Sequence, residues 1–261
     1  MSNKIFQKIE TAATPDFGNI LSRSFDLFKK VWMESFLHIL ITMLAVIPFV
    51  IVIYIPIIPS IIGSVKYGAS ENINPFMDYP LIMVVGYFVL LFILIIIMQG
   101  VSIAIIAHFF QVCKKEDLGS SEEVGGYFSF LKGENFSKVF MLSLATFGIS
   151  IAAILLCYLP IFYVMVPLQL MVVIFAFNDK LSVSDIINLS FKLGNKFWLL
   201  LFGIIIISSM IAQLGVILCF VGLFFTAYFA YIPIYYFYKD TIGFNGDLES
   251  STEEFSTPYN N

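Results

Sequence analysis

Apolar residues run almost without interruption through six stretches of this chain, at about Ser35 to Ile62, Pro80 to Phe110, Lys138 to Tyr158, Ile161 to Asn178, Phe197 to Ile217 and Phe220 to Tyr238. A helix needs about 20 apolar residues to cross a bilayer. Val139 to Phe177 carries no charge and is long enough to cross twice, so the chain must double back inside it, and the return is expected at Tyr158-Leu159-Pro160. A second return is expected near Gly222. The pattern predicts an all-α integral membrane protein whose six transmembrane helices form three hairpins.

Polar stretches between the apolar runs carry a second pattern. "SFDLFKKVW" (24–32) returns as "SFKLGNKFW" (190–198), and these hold the only two tryptophans of the chain. The same register brings Asp16, Ser120 and Ser182 together as helix N-caps, followed by Asn19, Glu123 and Asp185, the last two as capping boxes. Each segment is amphipathic at helical spacing; in the first, Phe17, Ile20, Leu21, Leu27, Phe28 and Val31 form one face. Residues 16–240 therefore divide into three units, 16–117, 120–179 and 182–240, each expected to be an interfacial helix followed by a hairpin. Residues 1–15 are an N-terminal arm, and 241–261 an acidic tail whose composition predicts disorder.

An indole favours the headgroup layer, so Trp32 and Trp198, with Phe136 at the matching place, are expected at the corners where interfacial helices enter the bilayer. Lys29, Lys30, Lys192 and Lys196 stand beside them, either as simple anchors or as a ring that binds lipid headgroups.

Composition agrees with the pattern: 59% of residues are hydrophobic and 12% charged, outside the range of water-soluble domains. Of 14 Lys and Arg residues, only Lys66 falls on the far side of the predicted spans. That bias places both termini in the cytoplasm, here of a bacterial inner membrane. No secretory signal pattern precedes the first span, which is expected to remain in the mature protein.

The stretches "NILSRSFDLFKKVW", "VSDIINLSFKLGNKFW" and "AYIPIYYFYKD" resemble a group of six-span bacterial proteins that includes the membrane domain attached to some glycerophosphodiester phosphodiesterases. The resemblance implies a fold and not a reaction. No catalytic residues of that membrane domain carry over, and the soluble barrel that supplies the esterase chemistry is not within these 261 residues.

Motifs for chemistry are sparse. His38 and His108, the only histidines, lie near the cytoplasmic ends of the first two spans, as plain interfacial residues or as a polar contact. With no H-E-x-x-H pattern and no paired cysteines, neither a metal nor a cofactor is expected. Cys157 and Cys219 take matching places near the outer turns, either as small apolar fillers or as a disulfide. Gln99, Gln169 and Gln213 are the amides inside the spans, expected to join helices or to line a polar cavity. Pro48, Pro56 and Pro59 interrupt the first span, as kinks or as the broken helix of a transporter site. The expectation is a non-enzymatic bilayer protein that organises lipids or serves as the membrane subunit of an envelope complex. Its partners would be membrane lipids and another membrane protein, with no nucleic acid. A permease for an apolar or amphiphilic solute is the alternative.

Overall fold

A computed structural model describes residues 2–67, 79–121, 123–156, 159–217 and 221–244. The chain is an all-α, multi-pass membrane protein: six of its helices are long and apolar enough to cross a bilayer, and no strand occurs among the described residues. Among the described residues, ten α-helices follow in order: α1 (Ser2–Thr11), α2 (Phe17–Tyr54), α3 (Ile57–Tyr67), α4 (Leu81–Leu118), α5 (Glu134–Leu155), α6 (Leu159–Phe177), α7 (Val183–Lys196), α8 (Trp198–Gln213), α9 (Val221–Thr226) and α10 (Ile232–Thr241). Cys157, Cys219 and residues 245–261 lie outside the described residues.

The three amphipathic segments do not fold alike, which corrects the expectation of three interfacial helices. Only the third stands as a separate helix, α7. Its cap is the expected one, with the Asp185 N–H donating to Ser182 Oγ at 3.1 Å and the Ser182 hydroxyl donating back to the Asp185 carboxylate at 2.8 Å. It ends at Lys196, capped by Phe197, and a Cβ placed on Gly194 would lie 3.5 Å from Pro167 of α6, in ordinary contact. In the first copy, Phe28 and Lys29 stand where the third has Gly194 and Asn195. No glycine or proline interrupts residues 19–47, so α2 runs on unbroken from its Asp16 cap, whose carboxylate accepts the Asn19 N–H at 2.6 Å. Trp32 thus sits within a straight run and marks no bend, whereas Trp198 opens α8 directly after the break at Phe197. The second copy is largely irregular. Gly125-Gly126 withdraws the side chains a helix would pack, and only one 3-10 turn forms, at Ser129–Leu131. Ser120 accordingly heads no helix.

Helices α2 and α4 are 38 residues each, about 57 Å at the α-helical rise, against about 30 Å of hydrocarbon. They pair along much of their length. Ile20, Ser24, Leu27, Val31, Ser35 and His38 form one buried stripe down α2, spaced three and four apart. The halves of α2 and α4 nearest the α3 turn are bare by contrast: Leu44, Ile51, Leu81 and Ile82 are 66%, 59%, 78% and 77% exposed. Lipid is the natural solvent for such a surface.

The core therefore concentrates at the opposite, polar end, where Phe109, Phe110, Phe175, Phe229, Tyr235, Phe237 and Tyr238 are fully buried. The last span is not one helix. Pro233 lacks an N–H and its ring crowds the carbonyl four residues back, and the chain tightens into a 3-10 turn at Ala227–Tyr231 between α9 and α10. From α10, Tyr235, Tyr236 and Lys239 all donate to the carboxylate of Asp117 on α4, at 2.8, 2.8 and 2.5 Å. Asp240 forms a two-pronged ion pair with Arg23 of α2, whose guanidinium also lies 4.5 Å from the Tyr236 ring centroid. Asn178 donates to the Tyr238 hydroxyl at 2.6 Å.

The N-terminal arm is helical and docked. Ile5 and Ile9 are buried, Lys8 donates to the Ile242 carbonyl at 2.7 Å, and Lys192 of α7 pairs with Glu10 at 2.6 Å. That lysine holds the Glu10 carboxyl below its usual 4.5, with Lys196 acting in the same direction. A carboxyl lowered on docking contributes fully above its ordinary value and loses that contribution as pH falls through the lowered one. Acidification from pH 7 to pH 3 is therefore expected to loosen α1. A nitroxide at exposed Gln7 will report it as increased mobility, and Lys192→Met will make the spectrum nearly independent of pH over that range. Equal mobility at both pH values in the wild-type chain would contradict the role given to this pair.

Candidate functional site

Two left-handed glycines bracket the irregular segment. Gly119, at φ 61°, ends α4 and turns the chain back along it, with the Gly119 and Ser120 N–H groups both donating to the Lys115 carbonyl. Gly133, at φ 58°, precedes α5. Between them residues 120–121 and 123–132 form a strap against the last turns of α4, anchored by Phe130, whose ring centroid lies 5.3 Å from that of Phe175 on α6.

A cavity of about 470 Å³ opens between strap and helix, with Gln111, Lys114, Lys115 and Leu118 on the α4 side and Ser120, Glu123, Val124, Gly125, Ser129 and Phe130 on the strap side. Gln111 is fixed by donating to the Ala176 carbonyl at 2.5 Å, and the Lys114 ammonium lies 4.9 Å from the Phe244 ring centroid. Two lysines at one wall, and Val124 and Phe130 beside Ser120, Glu123 and Ser129 at the other, give the groove a mixed polar and apolar lining. A second cavity, about 270 Å³, lies under the strap and is lined by Glu34, His108, Val112, Lys115, Glu116 and Tyr127 among others.

His38 and His108 meet at the floor of this region, His38 Nε2 to His108 Nδ1 at 2.8 Å. Both are buried, 0% and 4% exposed, so of the two expectations the polar contact holds and the interfacial position does not. Tyr127 of the strap packs edge-to-face with His38 and tilted against His108, and donates to Glu34 at 3.3 Å. Burial and the Glu34 carboxylate push the Tyr127 phenol up from its ordinary value, which keeps it protonated as a donor. Thr42 bonds the Tyr228 hydroxyl at 2.9 Å beyond His38.

The lysines expected to form a headgroup ring are not gathered. Lys29 pairs with Asp26 on its own helix at 2.8 Å and Lys30 is exposed beside it. Lys192 is held by Glu10, and Lys196 donates to three carbonyls at the end of α1, those of Ile9, Glu10 and Ala12. The last two thus hold protein to protein. Trp32 and Phe136 are exposed, at 43% and 59%. Trp32 lies 5.8 Å from the Phe225 ring, while Trp198 stacks on Phe202 and donates to the Tyr163 carbonyl at 3.3 Å. Gln99, Gln169 and Gln213 sit on α4, α6 and α8, with no side-chain hydrogen bond joining any two of them. The sequence pattern does not single out the groove lysines or Asp117, which stand together in the charged run "KKED". The tyrosine cluster of α10, rich in donors, was the signal that an acceptor waited elsewhere. No group of three or more metal-ligating side chains occurs among the described residues. No protein-family model, curated protein or solved structure matches the chain.

Proposed function

We propose that this is a non-catalytic lipid-binding protein of the bacterial inner membrane, crossing it six times with both termini cytoplasmic, and that the groove beside α4 receives an anionic lipid headgroup. The observation that carries the reading is the groove itself: Lys114 and Lys115, with Leu118 on the same helix, line a cavity of about 470 Å³ whose other wall includes Val124 and Phe130. It opens at the polar end of helices too long for the hydrocarbon layer, which supports a headgroup as its occupant. The excess of Lys and Arg at that end supports the cytoplasmic assignment. The bare outer half of the α2–α4 hairpin gives lipid tails, or the helices of a partner subunit, a continuous apolar surface.

Each basic group near anionic lipid contributes about 1 kcal/mol. Reversing both charges, Lys114→Glu with Lys115→Glu, is expected to cut the anionic phospholipid retained after mild-detergent purification by roughly tenfold. Retention is read by native mass spectrometry, with Lys29→Glu plus Lys30→Glu as the comparison. Equal loss from both double variants, or from neither, would remove the groove from consideration.

A further inference from the structure

The four ring nitrogens of His38 and His108 make three short contacts in a row: Glu34 carbonyl to His38 Nδ1 at 2.6 Å, His38 Nε2 to His108 Nδ1 at 2.8 Å, and His108 Nε2 to the Gly125 carbonyl at 2.7 Å. A carbonyl oxygen only accepts, so both outer nitrogens must carry hydrogens. A neutral imidazole has one hydrogen. Committing it to the outer nitrogen leaves each inner nitrogen a bare lone pair, and two lone pairs would face each other at 2.8 Å. One added proton on either inner nitrogen converts that repulsion into an N–H···N hydrogen bond.

We propose that the His38–His108 pair is a proton-binding site, holding a single proton between the two rings and using it to fasten the strap to the α2–α4 hairpin. The bookkeeping is three hydrogens over two rings, a net charge of +1, the proton coming from water and returning to it. A metal ion does not fit the same position. Metal–nitrogen bonds of about 2.0 Å need inner nitrogens more than 3 Å apart, and the outer nitrogens already face carbonyl oxygens.

The surroundings suit a cation. The Glu34 carboxylate lies 3.9 Å from His38 Nδ1, which supplies the partner a buried charge requires. The ring of Tyr127 lies 4.9 and 4.7 Å from the two imidazole centroids, and that of Phe109 lies 5.1 Å from His38. The other titratable groups facing the pair are Lys115 and Glu116 along α4, Glu123 on the strap and Tyr228 from the last span. Water reaches the site through the 270 Å³ cavity that His108 lines.

Loss of the proton leaves two hydrogens for three contacts, and one contact must open. Of the two outer bonds, that to Glu34 stays within α2, and that to Gly125 is the one that reaches from the hairpin to the strap. Alkaline pH therefore frees the strap, acid pH holds it, and the titration belongs to the pair instead of to either ring. This site is independent of the headgroup reading, and its test involves no lipid binding.

The test is ¹⁵N NMR of histidine-labelled protein in phosphatidylcholine nanodiscs from pH 5 to 9. The expected result is one proton released in a single step sensed by both rings. Two neutral rings throughout, or one proton released independently from each ring, would overturn the site. Hydrogen exchange at residues 123–127, corrected for intrinsic rates, should rise at least several-fold on deprotonation. In His108→Gln, whose amide can still donate to Gly125, it should not change with pH. Equal protection of the wild-type strap before and after the step would overturn its role as the fastening.

Discussion

Replacing Asp117 with alanine is expected to destabilise the detergent-solubilised protein by about 3 kcal/mol, read as a large fall in its unfolding midpoint. The side chain is only 14% exposed and is the common acceptor for Tyr235, Tyr236 and Lys239. Removing it strands two hydroxyls and an ammonium at once. A lost partner costs more than a lost pair, because the remaining groups keep their desolvation penalty. Asp117 is itself largely withdrawn from water, yet its carboxyl is shared among three donors, which offsets that cost. Tyr235→Phe and Tyr236→Phe, each deleting one donor and leaving the carboxylate two others, should cost about 1 kcal/mol apiece. If Asp117→Ala moved the midpoint no more than either phenylalanine variant, the tripod would not be what holds α10 in place.

Gly215→Ala should be nearly as damaging, about 3 kcal/mol, the upper end for overfilling a packed site. A Cβ there would lie 2.5 and 2.6 Å from the carbonyl carbon and oxygen of Gly222 and closer still to the Thr226 hydroxyl. Neither neighbour can yield cheaply. Gly222 presents backbone, and Thr226 is committed to the Ala212 carbonyl at 2.6 Å. The α8–α9 return would have to open. Gly86→Ala, where a Cβ meets nothing within 4 Å, provides the opposite expectation: a small stabilisation from replacing a helical glycine, roughly 0.5–1 kcal/mol. Similar midpoints for the two alanine variants would contradict the packing described at Gly215.

The contrast between those glycines shows what periodicity can and cannot convey. Uninterrupted apolar runs located all six spans, because hydrocarbon leaves a spanning chain little choice but to satisfy its backbone internally. The return expected at "YLP" falls partly on Tyr158, outside the described residues, and α6 begins at its leucine. Segments outside the hydrocarbon were read less well. Their shared register suggested three equal helices, yet Gly125-Gly126 dissolved the second, and the absence of any breaker before Pro48 fused the first to its span. Both signals were present in single residues that the register had averaged away. The site suffered from the same error. A helix over 120–136 would have carried the Gly125 carbonyl into its own hydrogen bonds, so no sequence argument could have offered it to His108. Proximity of His38 to His108 was foreseeable from their matching depths, while Asp117 and its tyrosines, 118 positions apart for Tyr235, share no local pattern.

That separation fixes an order of events during synthesis. At about 5–20 residues per second, roughly 6–24 s elapse between the emergence of Asp117 and that of its tyrosine donors, and longer for Arg23 and Asp240. Throughout that interval the first hairpin carries an acid and a guanidinium without their mates. Settlement of the earliest spans waits on the last to be made, and a chain that stops after α8 keeps Asp117 and Arg23 without the partners that α10 brings.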